Sequence, residues 1–327
     1  MHLVFCVDKN LLGPLHVAAG SALACCSDTP NGFNIHIFSS NLATDDINCL
    51  RCTLDSLNKP YDLKYYILDP SSFEAFEPLR NSIAPYFRLV VADILDVDRF
   101  LYLDADILCK ADLSALFSIT LEGHPVGLVM EAPLDNCADQ DMATLLGPNL
   151  VGYYYNSGVM LVDVLQWRKS KLTSRCLELI RIHRPAYHDQ TALNYLLRGN
   201  IVSLPLVFNT RTNDRQSWPD LKPPHSGMGR VLHFVDFPKP WSPLGRWIHP
   251  MGNLWWTHYR TTSHFRQSTC THSWQNIPLS VILGKSYRRS IKDAIIFKSY
   301  SLGLLRRVKG IISLDYPAHS APADPGG

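Results

Sequence analysis

The chain predicts an α/β architecture built on a mostly parallel sheet, and three observations carry that expectation. Over the first 130 residues, short β-branched or aromatic runs alternate with longer helical patterns, the sign of successive strand–helix–strand units. The 327 residues are 46% hydrophobic, enough for a large buried core in one domain or in a domain with an appendage. Polar side chains able to do chemistry recur just after the apolar runs, where open α/β sheets bind their ligands.

The elements follow in order. Residues 2–7 read as the first strand and 14–26 as the helix after it. Residues 34–39 form the next strand, then a helix over 44–57 opens at Thr44 with Asp45 and Asp46 at its positive end. Strands are expected at 63–68, 99–103 and 125–130, and Tyr86-Phe-Arg-Leu89 belongs to a helix ahead of the second of these. The run Gly158-Val-Met-Leu-Val162 leads into a helix from 163 to about Arg184, stopped by Pro185. A further helix spans His188 to Arg198 with Gly199 as its cap, and 231–235 form a short strand. Beyond Pro240 the composition turns to Trp, His, Pro and Thr. This places a main domain at 1–250, an appendage at 251–315, and an unpacked Pro-, Gly- and Ser-rich tail at 316–327.

A formal net charge of +2 gives no argument for a nucleic-acid partner. The sign is uneven, however. Residues 285–309 carry eight Lys and Arg against Asp293, interleaved with Ile, Leu and Phe, a basic amphipathic stretch. Nine cysteines with only Cys25-Cys26 and Cys49/Cys52 close together do not form a disulfide framework. The opening His2-Leu-Val-Phe-Cys-Val7 reads as a strand and not as a signal peptide, so a reducing cytoplasm fits. Cys49 and Cys52 lack a second pair for zinc and read as single thiols. No apolar run approaches the roughly 18 residues of a membrane span.

The chemistry centres on Arg99-Phe-Leu-Tyr-Leu-Asp-Ala-Asp-Ile107. Side chains alternate along a strand, so Asp104 and Asp106 are expected to leave its end on one side as a two-carboxylate claw for a hard divalent cation. Alone the pair is weak, since 29 acidic residues give roughly three such spacings by chance. Other candidates each have an ordinary structural role beside the functional one. Asp8 and Asn10 follow the first strand and suit either a base and ribose or a helix-capping turn. Arg88 reads by base rate as a surface charge. Glu131 follows the 125–130 run, and Asn156-Ser-Gly158 suits either close backbone approach to a ligand or an ordinary turn. Asp189, in His188-Asp-Gln190, can be no more than a first-turn acid. His233 ends a strand, with Lys239 six residues on.

The order and separation of these pieces resemble the retaining glycosyltransferases of family 8, which include bacterial lipopolysaccharide glucosyl- and galactosyltransferases. The resemblance spans residues 2–241 and is carried by Leu101-Tyr-Leu-Asp-Ala-Asp106, Asn156-Ser-Gly-Val159 with Trp167-Arg168, His188-Asp-Gln190, and His233 with Lys239-Pro-Trp241. It implies a GT-A fold and transfer of glucose or galactose from a UDP-hexose with Mn²⁺ or Mg²⁺. Asp104, Asp106 and His233 would hold the metal, an oxygen and imidazole set suited to Mn²⁺. Lys239 would neutralise the pyrophosphate, Asp8 and Asn10 would hold the uridine, and Arg88, Asn156 and Asp189 would grip the donor sugar. Gln190 would lie near the reacting carbon. A neutral amide is a poor nucleophile, which favours same-face attack over a covalent glycosyl-enzyme, with Glu131 and Asp189 the carboxylates able to reverse that choice.

Three positions depart from the pattern: Lys9 and Thr191, each where relatives carry an acid, and Asp236, where a glycine is common. The acceptor is expected to be a glycan or lipid-linked glycan. Residues 285–309 would then dock the enzyme peripherally on anionic lipid at the inner face of the cytoplasmic membrane. A nucleotide-sugar pyrophosphorylase would be expected to open on a Gly-rich phosphate loop, which residues 8–13 do not supply. A non-catalytic sugar- or membrane-binding module descended from such an enzyme is the remaining alternative.

Overall fold

A computed structural model of the chain describes residues 1–27, 32–79, 82–147, 150–212, 227–235, 237–242, 244–267 and Lys292. The basic stretch 285–309, the tail 316–327 and Asp236 lie outside the described residues, Lys292 apart.

The strands are β1 (His2–Cys6), β2 (Phe33–Ser39), β3 (Tyr61–Ile67), β4 (Arg99–Leu103), β5 (Ile107–Cys109), β6 (Val126–Pro133), β7 (Tyr153–Asp163), β8 (Ile201–Leu204), β9 (Thr210–Arg211) and β10 (Val231–His233). Seven form one sheet in the order β3-β2-β1-β4-β7-β6-β8, and β5, β10 and β9 form a second, smaller one. In the large sheet β7 alone runs against its neighbours, so the mostly parallel expectation holds.

Both faces of the sheet are covered, which is why its strands read as continuous apolar runs. Leu3, Phe5 and Val7 pack with the helices α1 (Leu12–Cys25) and α2 (Thr44–Asp55) on one face. Val4 and Cys6 point the other way. There they meet Phe87 and Leu89 of α3 (Ala84–Ile94), followed in the chain by α4 (Leu113–Phe117) and α5 (Gln140–Leu146). The same layer takes Trp167 of α6 (Val164–Lys169), Cys176 of α7 (Leu172–His183) and Leu193 of α8 (His188–Leu196).

Three local expectations need correction. The helix anticipated over 163–184 is two helices, α6 and α7, broken where Lys171 takes a left-handed φ of 51°. Asn156-Ser-Gly158 is not a turn before a strand but lies inside β7, an eleven-residue strand. Its pairing with β6 shifts register at Leu128/Val129 and Met130/Ala132, and irregularities of this kind re-aim side chains beside a site. Asp104 and Asp106 follow β4 on the turn to β5, so strand alternation does not place them. Instead Asp104 N–H donates to Gly158 O (2.8 Å), and Phe234 N–H donates to Asp106 O (2.9 Å).

Residues 245–267 fold back onto the sheet domain. Met251, Trp255 and Tyr259 share a buried cluster with Val17, Leu108, Leu232 and Phe234, and Ser263 N–H donates to Thr53 Oγ1 of α2 (2.9 Å). Among the described residues no helix is long and apolar enough to cross a membrane.

Candidate active site

At one edge of the sheet the chain leaves β1, β4 and β6 at their C-terminal ends, and β7, being reversed, enters there. That edge is where an open α/β sheet builds its ligand crevice. Asp104, Asp106 and His233 converge on it, each offering a ligand atom within 4.8 Å of the others. His233 Nε2 lies 3.1 Å from Asp106 Oδ1 and 3.7 Å from Asp104 Oδ2.

The tautomer of His233 follows from hydrogen-bond bookkeeping that starts at a backbone amide. Gly158 N–H can only donate, so its partner at 2.9 Å is Asn156 Oδ1. That oxygen also accepts from Asn209 Nδ2 at 2.8 Å, which turns Asn209 Oδ1 toward His233 Nδ1, again 2.8 Å away. His233 therefore donates from Nδ1 and presents Nε2 to two carboxylates. A nitrogen lone pair facing a carboxylate oxygen at 3.1 Å is repulsive unless a cation lies between them. A proton or a divalent metal meets that need, and oxygen with neutral imidazole is a donor set that suits Mn²⁺. Gly158 is required by this crowding, since a Cβ there would stand 2.2 Å from His233 Cε1 and 2.8 Å from Asp104 Oδ2.

Arg88 is not a surface charge. Its buried guanidinium lies 2.9 Å from Asp104 Oδ1 and 3.3 Å from Asp189 Oδ2, and it donates to Ser157 O (3.0 Å). Burial works against its charge, but Asp104 and Asp189 outweigh that and hold its pKa above the usual arginine value. Asp189 shows the converse: burial, against Arg88, raises its carboxyl. Tyr102 Oη adds a donor to Asp104 Oδ1 at 2.6 Å. Burial alone would raise Asp106, yet Lys239, and His233 when Nε2 carries a proton, hold it well below the usual carboxylate range. Lys239 Nζ sits 2.7 Å from Asp106 Oδ2 and also donates to the carbonyls of Phe234 and Val235.

Around this centre Glu131 lies within β6, not after it. Its Oε1 takes Arg211 (2.8 Å) and its Oε2 takes Asn156 Nδ2 (3.1 Å). Gln190 Oε1 accepts from Ser157 N–H (3.1 Å), and its Nε2 donates to Tyr154 Oη (3.1 Å). His188, just before Asp189, has a φ of 43°, a left-handed value costly for a residue with a side chain. Its Nδ1 bonds Tyr86 Oη. Asp8 and Asn10 follow the end of β1, beside β4, which Asp104 follows. Asp8 caps the turn Lys9–Leu11 by accepting from Asn10 N–H (2.9 Å), so the capping role is realised. The residues missed in the sequence are Ser157, Asn209, Arg211, Tyr102 and Tyr154. None belongs to a charge pattern or spacing of its own, although Ser157 and Tyr102 lie inside the motifs Asn156-Ser-Gly-Val159 and Leu101-Tyr-Leu-Asp-Ala-Asp106.

A largely parallel α/β sheet with an Asp–Asp–His cluster able to hold a cation at its C-terminal edge fits the glycosyltransferase class, and the family match shows it. The description "Glycosyl transferase family 8" matches residues 2–245, and the chain belongs to that family. Among relatives, the Salmonella typhimurium lipopolysaccharide 1,3-galactosyltransferase is 24% identical over 93% of this chain and 88% of its own. The lipopolysaccharide 1,2-glucosyltransferase of Escherichia coli K12 is 32% identical, the match spanning 49% of each chain. The crystal structure of the galactosyltransferase LgtC with donor and acceptor sugar analogs shares the fold, with a TM-score of 0.68 at 22% identity, covering 84% of this chain and 99% of that one.

Proposed function

We propose that the protein is a metal-dependent, retaining hexosyltransferase that moves glucose or galactose from a UDP-sugar to a glycan or lipid-linked glycan. Lipopolysaccharide or capsule assembly is the setting, by analogy with the relatives. The observation that carries this reading is the convergence of Asp104, Asp106 and His233 within 4.8 Å of one another, a donor set able to hold a divalent cation where a diphosphate would also sit. Asp104, Asp106 and His233 would hold Mn²⁺ or Mg²⁺, which when bound supplies positive charge to stabilise a departing UDP.

The chain's own residues do the rest. Lys239 lies within reach of the same locus and can exchange Asp106 for phosphate oxygens. Arg88 fixes Asp104 and Asp189 together, so donor hydroxyls meet a rigid wall. Asp8 and Asn10 are assigned to the uridine. Glu131 has its oxygens occupied by Arg211 and Asn156, and Asp189 by Arg88 and Ser157, which supports same-face attack, with the leaving phosphate oxygen taking the acceptor's proton. Attachment to the cytoplasmic face of the membrane through residues 285–309 completes the reading.

The test is hydrolysis of UDP-glucose and UDP-galactose without acceptor, with and without Mn²⁺, for wild type and Asp106→Ala. Slow Mn²⁺-dependent UDP release that Asp106→Ala abolishes is expected. No nucleotide binding or release under any condition would leave a non-catalytic binding module as the better account.

A further inference from the structure

Gln190 is held by more than its immediate neighbours. Behind Tyr154 lies Asp139, 2% exposed, at the N-cap of α5. Its Oδ1 accepts from Asp141 N–H (3.1 Å), while its Oδ2 accepts from both Tyr154 Oη and Thr191 Oγ1, each at 2.7 Å. Tyr154 is itself 2% exposed.

Proton bookkeeping makes this arrangement directional. Burial, then the Asp139 carboxylate, push the Tyr154 hydroxyl above its ordinary pKa, so it keeps its proton. A carboxylate only accepts, so that proton goes to Asp139. Tyr154 Oη is then left as an acceptor, and the group it meets at 3.1 Å must be Gln190 Nε2. At the other end of the amide Ser157 N–H can only donate, which requires Gln190 Oε1 there. Both ends of the Gln190 amide are thus fixed, and a flipped amide would set donor against donor at Ser157.

We infer that Asp139 and Tyr154 are positioning residues that act through Gln190, locking which face of its amide, oxygen or nitrogen, meets the donor sugar. This rests on the hexosyltransferase reading of the site. Neither residue is a ligand of the cation cluster, and neither is a catalytic residue; Asp139 comes from a helix about fifty residues away in the chain from Gln190.

Misplacing a group at the reacting centre can cost about 100-fold in rate. Tyr154→Phe keeps the ring and its packing but removes the nearer acceptor of Gln190 Nε2, leaving Glu131 Oε2 at 3.5 Å, and is expected to lower kcat for donor turnover roughly 10- to 100-fold, with KM for the UDP-sugar little changed. Asp139→Asn should act in the same direction. The decisive measurement is a double-mutant cycle with Gln190→Ala. Tyr154→Phe added to Gln190→Ala should cost nothing further if Tyr154 works only through that amide, with thermal melting confirming that each variant folds. Losses that multiply, or an unchanged kcat for both Tyr154→Phe and Asp139→Asn, would overturn the inference. An inactive wild type would instead overturn the hexosyltransferase reading, so the two failures are distinguishable.

Discussion

Asn209 is an uncharged residue in a short turn (Leu206–Asn209) with no motif around it, yet it sets the tautomer of His233. Groups that orient a metal-binding imidazole typically account for 10- to 100-fold in metal affinity. Asn209→Leu is therefore expected to weaken Mn²⁺ binding by about that factor in a direct titration on protein that thermal melting shows to be folded, although it also lowers stability by leaving His233 Nδ1–H without its partner. Unchanged Mn²⁺ affinity would show that His233 needs no such support. Thr191 has a comparable history: it departs from the acidic pattern, but Asp139 brings a carboxylate to 2.7 Å from its hydroxyl. Lys9 pairs loosely with Asp46 at 3.7 Å on the surface, where such pairs contribute little. Arg88 shows why base rates mislead for single residues. A helical arginine is usually solvated, but this one faces the buried Asp189 and the partly buried Asp104, which need its charge.

At the scale of elements, the segment after residue 245 shows how local packing sets pH behaviour. His249 ends the short helix Gly245–Ile248. Met251 N–H donates to its Nδ1 (3.1 Å), and its Nε2 is 3.3 Å from Thr212 Oγ1. The ring is thereby held neutral, and burial, with Lys239 nearby, pushes its pKa down to about 3. A histidine with a lowered folded pKa contributes its stability in full above the unfolded value of about 6.5. That contribution is lost as pH falls from there toward 3, because the unfolded chain binds the proton and the folded one does not. Near pH 5.5 the loss is about 1.4 kcal/mol. His249→Gln should flatten the fall in melting temperature between pH 7 and pH 5 relative to wild type, and parallel curves would contradict the assignment. The reversal of β7 is the other decision made at this scale. Running antiparallel, it delivers Asn156, Ser157 and Gly158 to the edge reached by the ends of β4 and β6, which a parallel strand would have placed on the opposite side.

At the scale of the whole molecule, a two-faced sheet builds a rigid platform, and remote stretches of chain (104–106, 156–158, and His233 with Lys239) meet at its edge. The proposed docking on a membrane is tested at this scale as well. Each cation near an anionic surface contributes about 1 kcal/mol, so a chain ending near residue 280, which lacks 285–309, should sediment much less with anionic liposomes than the full chain. Equal sedimentation would rule that stretch out.

The amino-acid pattern by itself determined the α/β class, most of the strand positions, the family resemblance, and the residue types at the cluster of Asp104, Asp106 and His233. These properties are written in apolar periodicity and in short motifs, which are local. Only the tertiary structure decided that Asn156-Ser-Gly158 lies inside a reversed strand, that Arg88 is buried between two carboxylates, and that Asn209 and Asp139 stand behind His233 and Gln190. The physical reason is that hydrogen-bond direction and the shielding of charge depend on which atoms meet across the fold, and those partners are separated in the chain by 16 to 101 residues in the case of Arg88 and by 24 in the case of His233 and Asn209.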